Sequence, residues 1–202
     1  MPRTLSTVEV SDFRERLCEA ATRLFAEKGL EGLTLRELAN ELGVSAMTPY
    51  RYFKDKDEML AAVRARAFNR FAETLERAFS QPGNAPTRAN AAGEAYIRFA
   101  LEDPASYRLM FDLSQPDDRY PELKAAAERA RLTLTQHIHP LVEGGFLKGD
   151  PEIIGHVFWA MLHGAIMLHL SGKLDPDCDF RKVISEAFRA LTIGFQPDAQ
   201  NR

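Results

Sequence analysis

The stretch TLRELANELGVSAMTPYRYFKDK, Thr34 to Lys56, leaves this chain little freedom in its local structure. Thr34 with Glu37 three residues on is a capping box, so the spacing predicts a helix from Leu35. Leu35, Leu38, Ala39 and Leu42 then share one helical face. Gly43 ends that helix, because glycine takes the left-handed backbone that a helix exit requires. Val44 fills the corner, and Ser45 is placed to cap a second helix, Ala46 to Phe53. The second helix commits little surface to burial; Phe53, helped by Pro49 and Val44, is its anchor. Thr48, Tyr50, Arg51 and Tyr52 point large hydrogen-bonding groups outward, which suits a DNA major groove. Paired short helices with a glycine turn also occur in all-α proteins that bind no DNA, so this stretch alone does not decide function.

The following residues sharpen the reading. Asp55 caps a third segment, with Glu58 three residues on. Lys54 and Lys56 stand at that helix start, where a cation opposes the helix dipole. A phosphate bound there would offset the cost and take up free N–H groups. Residues Phe13 to about Val63 resemble the DNA-binding domain of the TetR family of bacterial transcriptional repressors. The resemblance rests on Ala21, Leu24, Phe25, Lys28 and Gly29, then Thr34, Leu35, Ala39, Gly43, Val44 and Ser45, and finally Tyr50, Phe53, Lys56, Met59 and Leu60. It implies that Thr34 and Lys56 hold phosphates and that Met47, Thr48, Tyr50 and Tyr52 face the groove or its backbone. Ser45, Ala46 and Arg51 complete the expected DNA-contacting set. Two positions depart from the family pattern: Met47 stands where glycine is frequent, and Pro49 where leucine or isoleucine is frequent. Pro49 falls in the first turn of its helix, where a missing N–H costs little.

The whole chain carries a formal charge of −3, a point against nucleic-acid binding unless a local patch outweighs it. Arg51, Lys54 and Lys56 supply such a cluster. With 202 residues, 45% of them hydrophobic, there is enough chain for a small module and a larger one. No uninterrupted apolar run of about eighteen residues is seen, so no membrane span and a cytoplasmic location are expected. The start, MPRTLSTVEVSDF, lacks a signal-peptide apolar block. Cys18 and Cys178 read as free thiols, the first as a small apolar filler.

Along the chain, residues 1 to about 10 read as a flexible lead whose Arg3 offers a minor-groove grip. Helices are expected at Asp12–Lys28, capped by Ser11 and ended by Gly29, and at Lys56–Phe79, roughly 35 Å long. After the turn-rich QPGNAP, further helices fall at about Thr87–Glu102, from Pro104 behind Asp103, at Glu122–Val142, at Pro151–Ser171 behind Asp150, and at Phe180–Phe195. SQPDDRYP reads as loop and QPDAQNR as a disordered tail. The fold class is therefore all-α, about nine helices in two parts. One is a three-helix helix-turn-helix DNA-binding domain, residues 11–63 with the motif at 34–53. The other is a helical ligand-binding and dimerisation domain, residues 64–196.

Glu152–Ser171 is apolar nearly all round and must be buried on several sides. Packing against its own copy is one solution, with Gly164 and Ala165 allowing close approach and Phe180–Phe195 as neighbour. Trp159, Gly164, Met167, Leu168, Phe188 and Leu191 form the expected homodimer interface. This pair resembles the C-terminal dimer helices of the same family, and Trp159, His163 and Gly164 match the Trp-x-x-x-His-Gly signature of one subgroup.

Five histidines invite a metal reading, but no pair has the four-residue spacing that brings two imidazoles to one ion. No metal and no cofactor are expected. No catalytic motif is present either: no Ser/His/Asp set, glycine-rich phosphate loop or paired cysteines. The second part is rich in aromatics. Phe68, Phe71, Tyr96, Phe99, Tyr107, Met110, Phe111, His137, Phe158 and His163 are the candidate lining of an apolar pocket, which the family resemblance favours. The combined expectation is a repressor of palindromic double-stranded operator DNA, released by a small apolar effector. The alternative is a DNA-binding dimer of the same fold with no small-molecule ligand, controlled by a protein partner or by autoregulation.

Overall fold

The computed structural model describes residues 7–113 and 117–197, and among these there is no strand. Residue Arg3 of the expected lead, the end of the polar tail and residues 114–116 of the expected loop lie outside the described residues. The α-helices are α1 (Thr7–Gly32), α2 (Leu35–Glu41), α3 (Lys56–Phe79), α4 (Ala85–Glu102), α5 (Pro104–Phe111), α6 (Pro121–Thr135), α7 (His139–Glu143), α8 (Pro151–Leu170) and α9 (Phe180–Gly194). Short 3-10 turns occupy Pro49–Arg51 and Asp117–Arg119.

Packing groups the chain into two units. One comprises the chain up to Asn69 with Ala105–Ala127; the other comprises Arg70–Pro104 with Glu128 onward. Leu17, Leu24, Leu33, Leu38, Phe53 and Met59 form the centre of the first, all essentially inaccessible. Arg64 is buried there too, its Nε donating to the Leu109 carbonyl at 3.0 Å. In the second unit Ile138, Leu141, Leu147, Ile154 and Phe158 form a core, with α8 packed on α9 and α4.

Helix ends follow local chemistry. Asp150 Oδ1 accepts the Glu152 and Ile153 N–H groups, so α8 begins where its cap predicts, and α9 begins at the expected Phe180, where Asp179 accepts the Lys182 N–H. Gly29 (φ 67°) breaks α1 as expected, but the helix starts at Thr7, four residues before the Ser11 cap. The long helix expected at Glu122–Val142 is two helices, α6 and α7. Pro140 is the reason: it lacks the N–H that would bond the Gln136 carbonyl one turn back. The expected helix Ala46–Phe53 is also different. Ala46–Thr48 is a turn, followed by the 3-10 turn Pro49–Arg51, with Arg51 N–H on the Thr48 carbonyl and Tyr52 N–H on that of Pro49. Pro49 cannot complete the α pattern to Ser45, so the chain tightens to three-residue bonds.

α8 corrects another expectation. Although no unbroken apolar run was seen, this helix is long and apolar enough, by length and composition, to cross a membrane; three histidines interrupt its apolar residues. Ile154, Phe158, Leu162 and Ile166, four residues apart, make its buried stripe. Gly155 lets that stripe approach α6, since a Cβ there would lie 2.8 Å from Thr135 Cγ2. Ile153 and Leu168 remain 60% and 45% exposed on the single chain.

Gly43 has φ 64°, a conformation that costs other residues about 1–2 kcal/mol. Gly43→Ala should lower unfolding free energy by about that amount in urea titrations followed by circular dichroism. An unchanged midpoint would contradict the need for glycine at the corner between α2 and the Pro49 turn.

Candidate nucleic-acid interface and effector cavity

The α2–turn–α3 segment is held from behind. Pro49 and Phe53 are buried, and the Arg14 guanidinium lies 5.7 Å from the Phe53 ring centre. Above them Met47 and Tyr50 are 67% and 49% exposed, and Ser45, Ala46 and Arg51 are exposed as well. Tyr52 is half-buried, its ring 5.0 Å from that of Phe13, so part of it serves the core; Thr48 is also half-buried. Ser45 Oγ accepts the Met47 N–H at a long 3.4 Å, a weak version of the expected cap.

The two expected phosphate holders retain hydrogen-bond donors. Thr34 Oγ1 accepts the Glu37 N–H at 3.1 Å, which leaves its hydroxyl proton to donate. The other half of the capping box does not form as drawn, because Glu37 gives its carboxylate to Lys28 Nζ at 2.7 Å. That contact holds the Glu37 carboxyl below its ordinary range, chiefly through the hydrogen bond from Lys28. Lys56 Nζ donates to the Leu30 carbonyl at 2.6 Å, using one of its three donors. At the start of α3 the Glu58 N–H is taken by Asp55 Oδ1 at 2.9 Å and the Lys54 N–H by Glu58 Oε2. The segment's own acids therefore occupy groups expected to be free for a phosphate.

Arg36 was not foreseen. It is exposed on α2 and, with Arg51 and Lys54, makes no side-chain hydrogen bond or ion pair among the described residues. The signal was present: Arg36 lies off the face defined by Leu35, Leu38 and Ala39.

The second unit contains a cavity of about 350 Å³. Leu75 of α3, Tyr96 of α4, Leu134 of α6, Phe158 and Leu162 of α8 and Phe188 of α9 contribute to its wall, with His137 between α6 and α7. Of the expected lining, Tyr96, His137 and Phe158 are at the wall. Phe71 and Phe99 instead pack edge to face at 5.3 Å as solid core, Phe71 also meeting Tyr96 at 5.2 Å. Phe68, Tyr107, Met110 and Phe111 belong to the other unit, where Phe68 and Tyr107 meet Phe111. His163 lies outside the lining, its ring 6.2 Å from that of Trp159. Small residues that make the space, Ala89, Ala92, Gly93 and Gly155, carried no sequence signal for a pocket.

Of the residues expected at a dimer face, Trp159 and Phe188 line this cavity and Leu191 packs on the adjoining core. Leu168 is exposed, and Gly164 has no atom within 4 Å of where a Cβ would stand. Among the described residues no three His, Cys, Asp or Glu side chains gather as a metal site.

His137 Nδ1 lies 3.2 Å from the Thr133 carbonyl. Burial pushes the imidazole below its ordinary value of 6.5, against a smaller upward pull from that carbonyl. The unfolded chain therefore takes up the proton first. The stability contributed by neutral His137 is complete above about pH 6.5 and is lost as pH falls through the lower folded-state value. His137→Gln should show a shallower loss of denaturant midpoint below pH 6.5 than the unaltered chain; parallel profiles would contradict the depressed value.

Comparison with known proteins shows the family and the fold. Residues 17–63 match the family described as bacterial regulatory proteins, tetR family, and residues 89–191 match the tetracyclin repressor-like C-terminal domain. The latter description does not single out the Trp-x-x-x-His-Gly subgroup. The HTH-type transcriptional regulator BetI of Brucella suis biovar 1 is 28% identical over 93% of this chain and 95% of its own length. An uncharacterized HTH-type regulator of Mycobacterium tuberculosis is 27% identical over 91% of this chain and 81% of its own. Among solved structures, a protein of unknown function from Rhodococcus sp. RHA1 superposes with TM-score 0.81 and 26% identity, over 98% of this chain and 100% of that one. A TetR family regulator from Marinobacter aquaeolei superposes at 0.70 with 20% identity, over 93% and 97%.

Proposed function

We propose that this chain, which belongs to the tetR family of bacterial regulatory proteins, is a homodimeric repressor released from its operator by an apolar small molecule. By its family the chain is a DNA-binding transcriptional regulator, and its relatives are regulators rather than enzymes. The pinned turn carries the finer reading. Met47, Tyr50 and Arg51 stand exposed over buried Pro49 and Phe53, a rigid mount for side chains that enter a major groove. In this reading Ser45, Ala46, Met47, Thr48, Tyr50, Arg51 and Tyr52 meet the groove and its edges, while Thr34 and Lys56 clamp phosphates. Two copies would read half-sites of a palindrome about one helical turn apart, roughly 34–36 Å, or a multiple.

The outward side of α8 supports the homodimer. A helix this apolar needs a second covering surface, and Leu168 beside the open Gly164 offers one to its own copy. Three histidines along α8 and its deep apolar stripe favour a partner helix over a bilayer, and a cytoplasmic location belongs to this reading. The cavity supports effector release. A ligand acts by binding the DNA-incompetent arrangement better, with coupling of about 1–3 kcal/mol.

Retention of the fragment beside its own gene, measured against salt, tests the DNA reading. Lys56→Ala should weaken binding to all sequences alike and reduce the slope of log affinity against log salt by about 0.9. An unaltered slope would remove Lys56 from the phosphate contacts, and loss of all sequence preference in the unaltered chain would remove the reading. Leu168→Asp should raise the dimer dissociation constant at least about tenfold in analytical ultracentrifugation. A dimer unaffected by that change would place the interface elsewhere.

A further inference from the structure

We infer that the cavity takes an uncharged, largely apolar molecule of about two-ring size whose single hydroxyl-type donor is received by Nε2 of His137. This deepens the effector reading above and rests on it.

Size comes from the space itself. An apolar cavity of about 150 Å³ takes one benzene, and this one is about 350 Å³, a little over twice as large. Charge is excluded by the wall: no Asp, Glu, Lys or Arg lines it. A carboxylate or ammonium at the deeper end, beside Tyr96 and His137, would lose much of its water without gaining a counter-charge.

Polarity is confined to a few groups. Asn90, Thr192 and Gln196 are exposed, which leaves Tyr96, Trp159 and His137 as the deeper side chains able to hydrogen-bond a ligand's polar end, and a ligand hydroxyl can accept from the Trp159 indole N–H while it donates to His137. The Thr133 carbonyl only accepts, so the proton of neutral His137 sits on Nδ1. His137 lines the cavity with Nδ1 held by its own helix, so Nε2 is the ring atom left with a lone pair for a ligand in a mostly apolar wall. A lone pair in such a wall is matched by an O–H or N–H donor, while a ligand carbonyl or ether would repel it. Burial disfavours the imidazolium that would reverse this preference.

Equilibrium dialysis of the full chain at pH 7.5 against a matched series tests the assignment. β-Naphthol presents a donor, naphthalene none, β-naphthoate an anion and β-naphthylmethyl-trimethylammonium a cation. β-Naphthol should bind about three- to tenfold more tightly than naphthalene. The two ions should bind at least about tenfold more weakly than naphthalene. On His137→Leu the naphthol advantage should vanish while naphthalene binding persists. Should that variant fail to fold, the four affinities on the unaltered chain decide the matter alone. Equal binding of naphthol and naphthalene, preference for either ion, or retention of none of the four overturns the assignment. DNA retention by the same preparation is read separately, so loss of the ligand class is distinguishable from loss of the regulator reading.

Discussion

A short surface segment can hold polar side chains at fixed positions only if its backbone is pinned from beneath. Here Phe53 and Pro49 supply that pin. Phe53 is only 1% exposed in a core built by Leu17, Leu24, Leu38 and Met59. Because Pro49 is buried, its ring lies inward and the neighbouring Tyr50 and Arg51 are left outward. A 3-10 turn of three residues has little stability of its own; its geometry is inherited from the hydrophobic contact below it. The direction in which Tyr50 points is thus decided by the first unit's apolar core.

The same logic runs in the opposite sense in α8. There the helix is stable and apolar, and the chain covers only one stripe of it. The cavity and the outward face are two consequences of that shortage of cover. On the inner side, Ala89, Ala92, Gly93 and Gly155 are too small to fill the space between α4, α6 and α8. On the outer side, Ile153 and Leu168 meet no other part of the described chain that buries them. Both invite a second molecule, one small and one a copy of the helix itself.

Helix boundaries were legible at some of the ends that a side chain caps and missed at others, since α1 starts before Ser11 and α4 starts behind Asn84. Asp150 marks a start through a local bond, which depends on neighbours in sequence alone, whereas Asn84, which takes the Thr87 N–H at the start of α4, lay in a stretch read as loop. Pro49 and Pro140 were visible too, but their effect was undervalued. A proline near the first turn of one helix equally ends the reach of whatever precedes it. The cavity was legible only in part, because bulky aromatics are found in filled and unfilled spaces alike. Phe71 and Phe99 pack on each other, whereas Phe158 has open space beside it. Empty volume is set by which small residues face one another across helices, a relation that spacing along one helix does not contain.

Charge offers the final instance of local arrangement overriding the total. A chain of net −3 has no general attraction for DNA, yet many of its charges are held in ion pairs. Arg66 meets Glu15 and Glu19, Arg129 meets Glu76, and Arg14 meets Glu122. Such pairs are nearly neutral at a distance and contribute little field beyond about one Debye length, roughly 8–10 Å. Among the described residues Arg36 of α2 and Arg51 and Lys54, which flank the exposed Tyr50 in sequence, are in no such pair. A phosphate backbone responds to unpaired charge within a few ångströms, so these three cations weigh more at that surface than the acids elsewhere do. The sign of the whole chain and the sign of its reading surface are therefore separate quantities, and only the second bears on a duplex in contact with it.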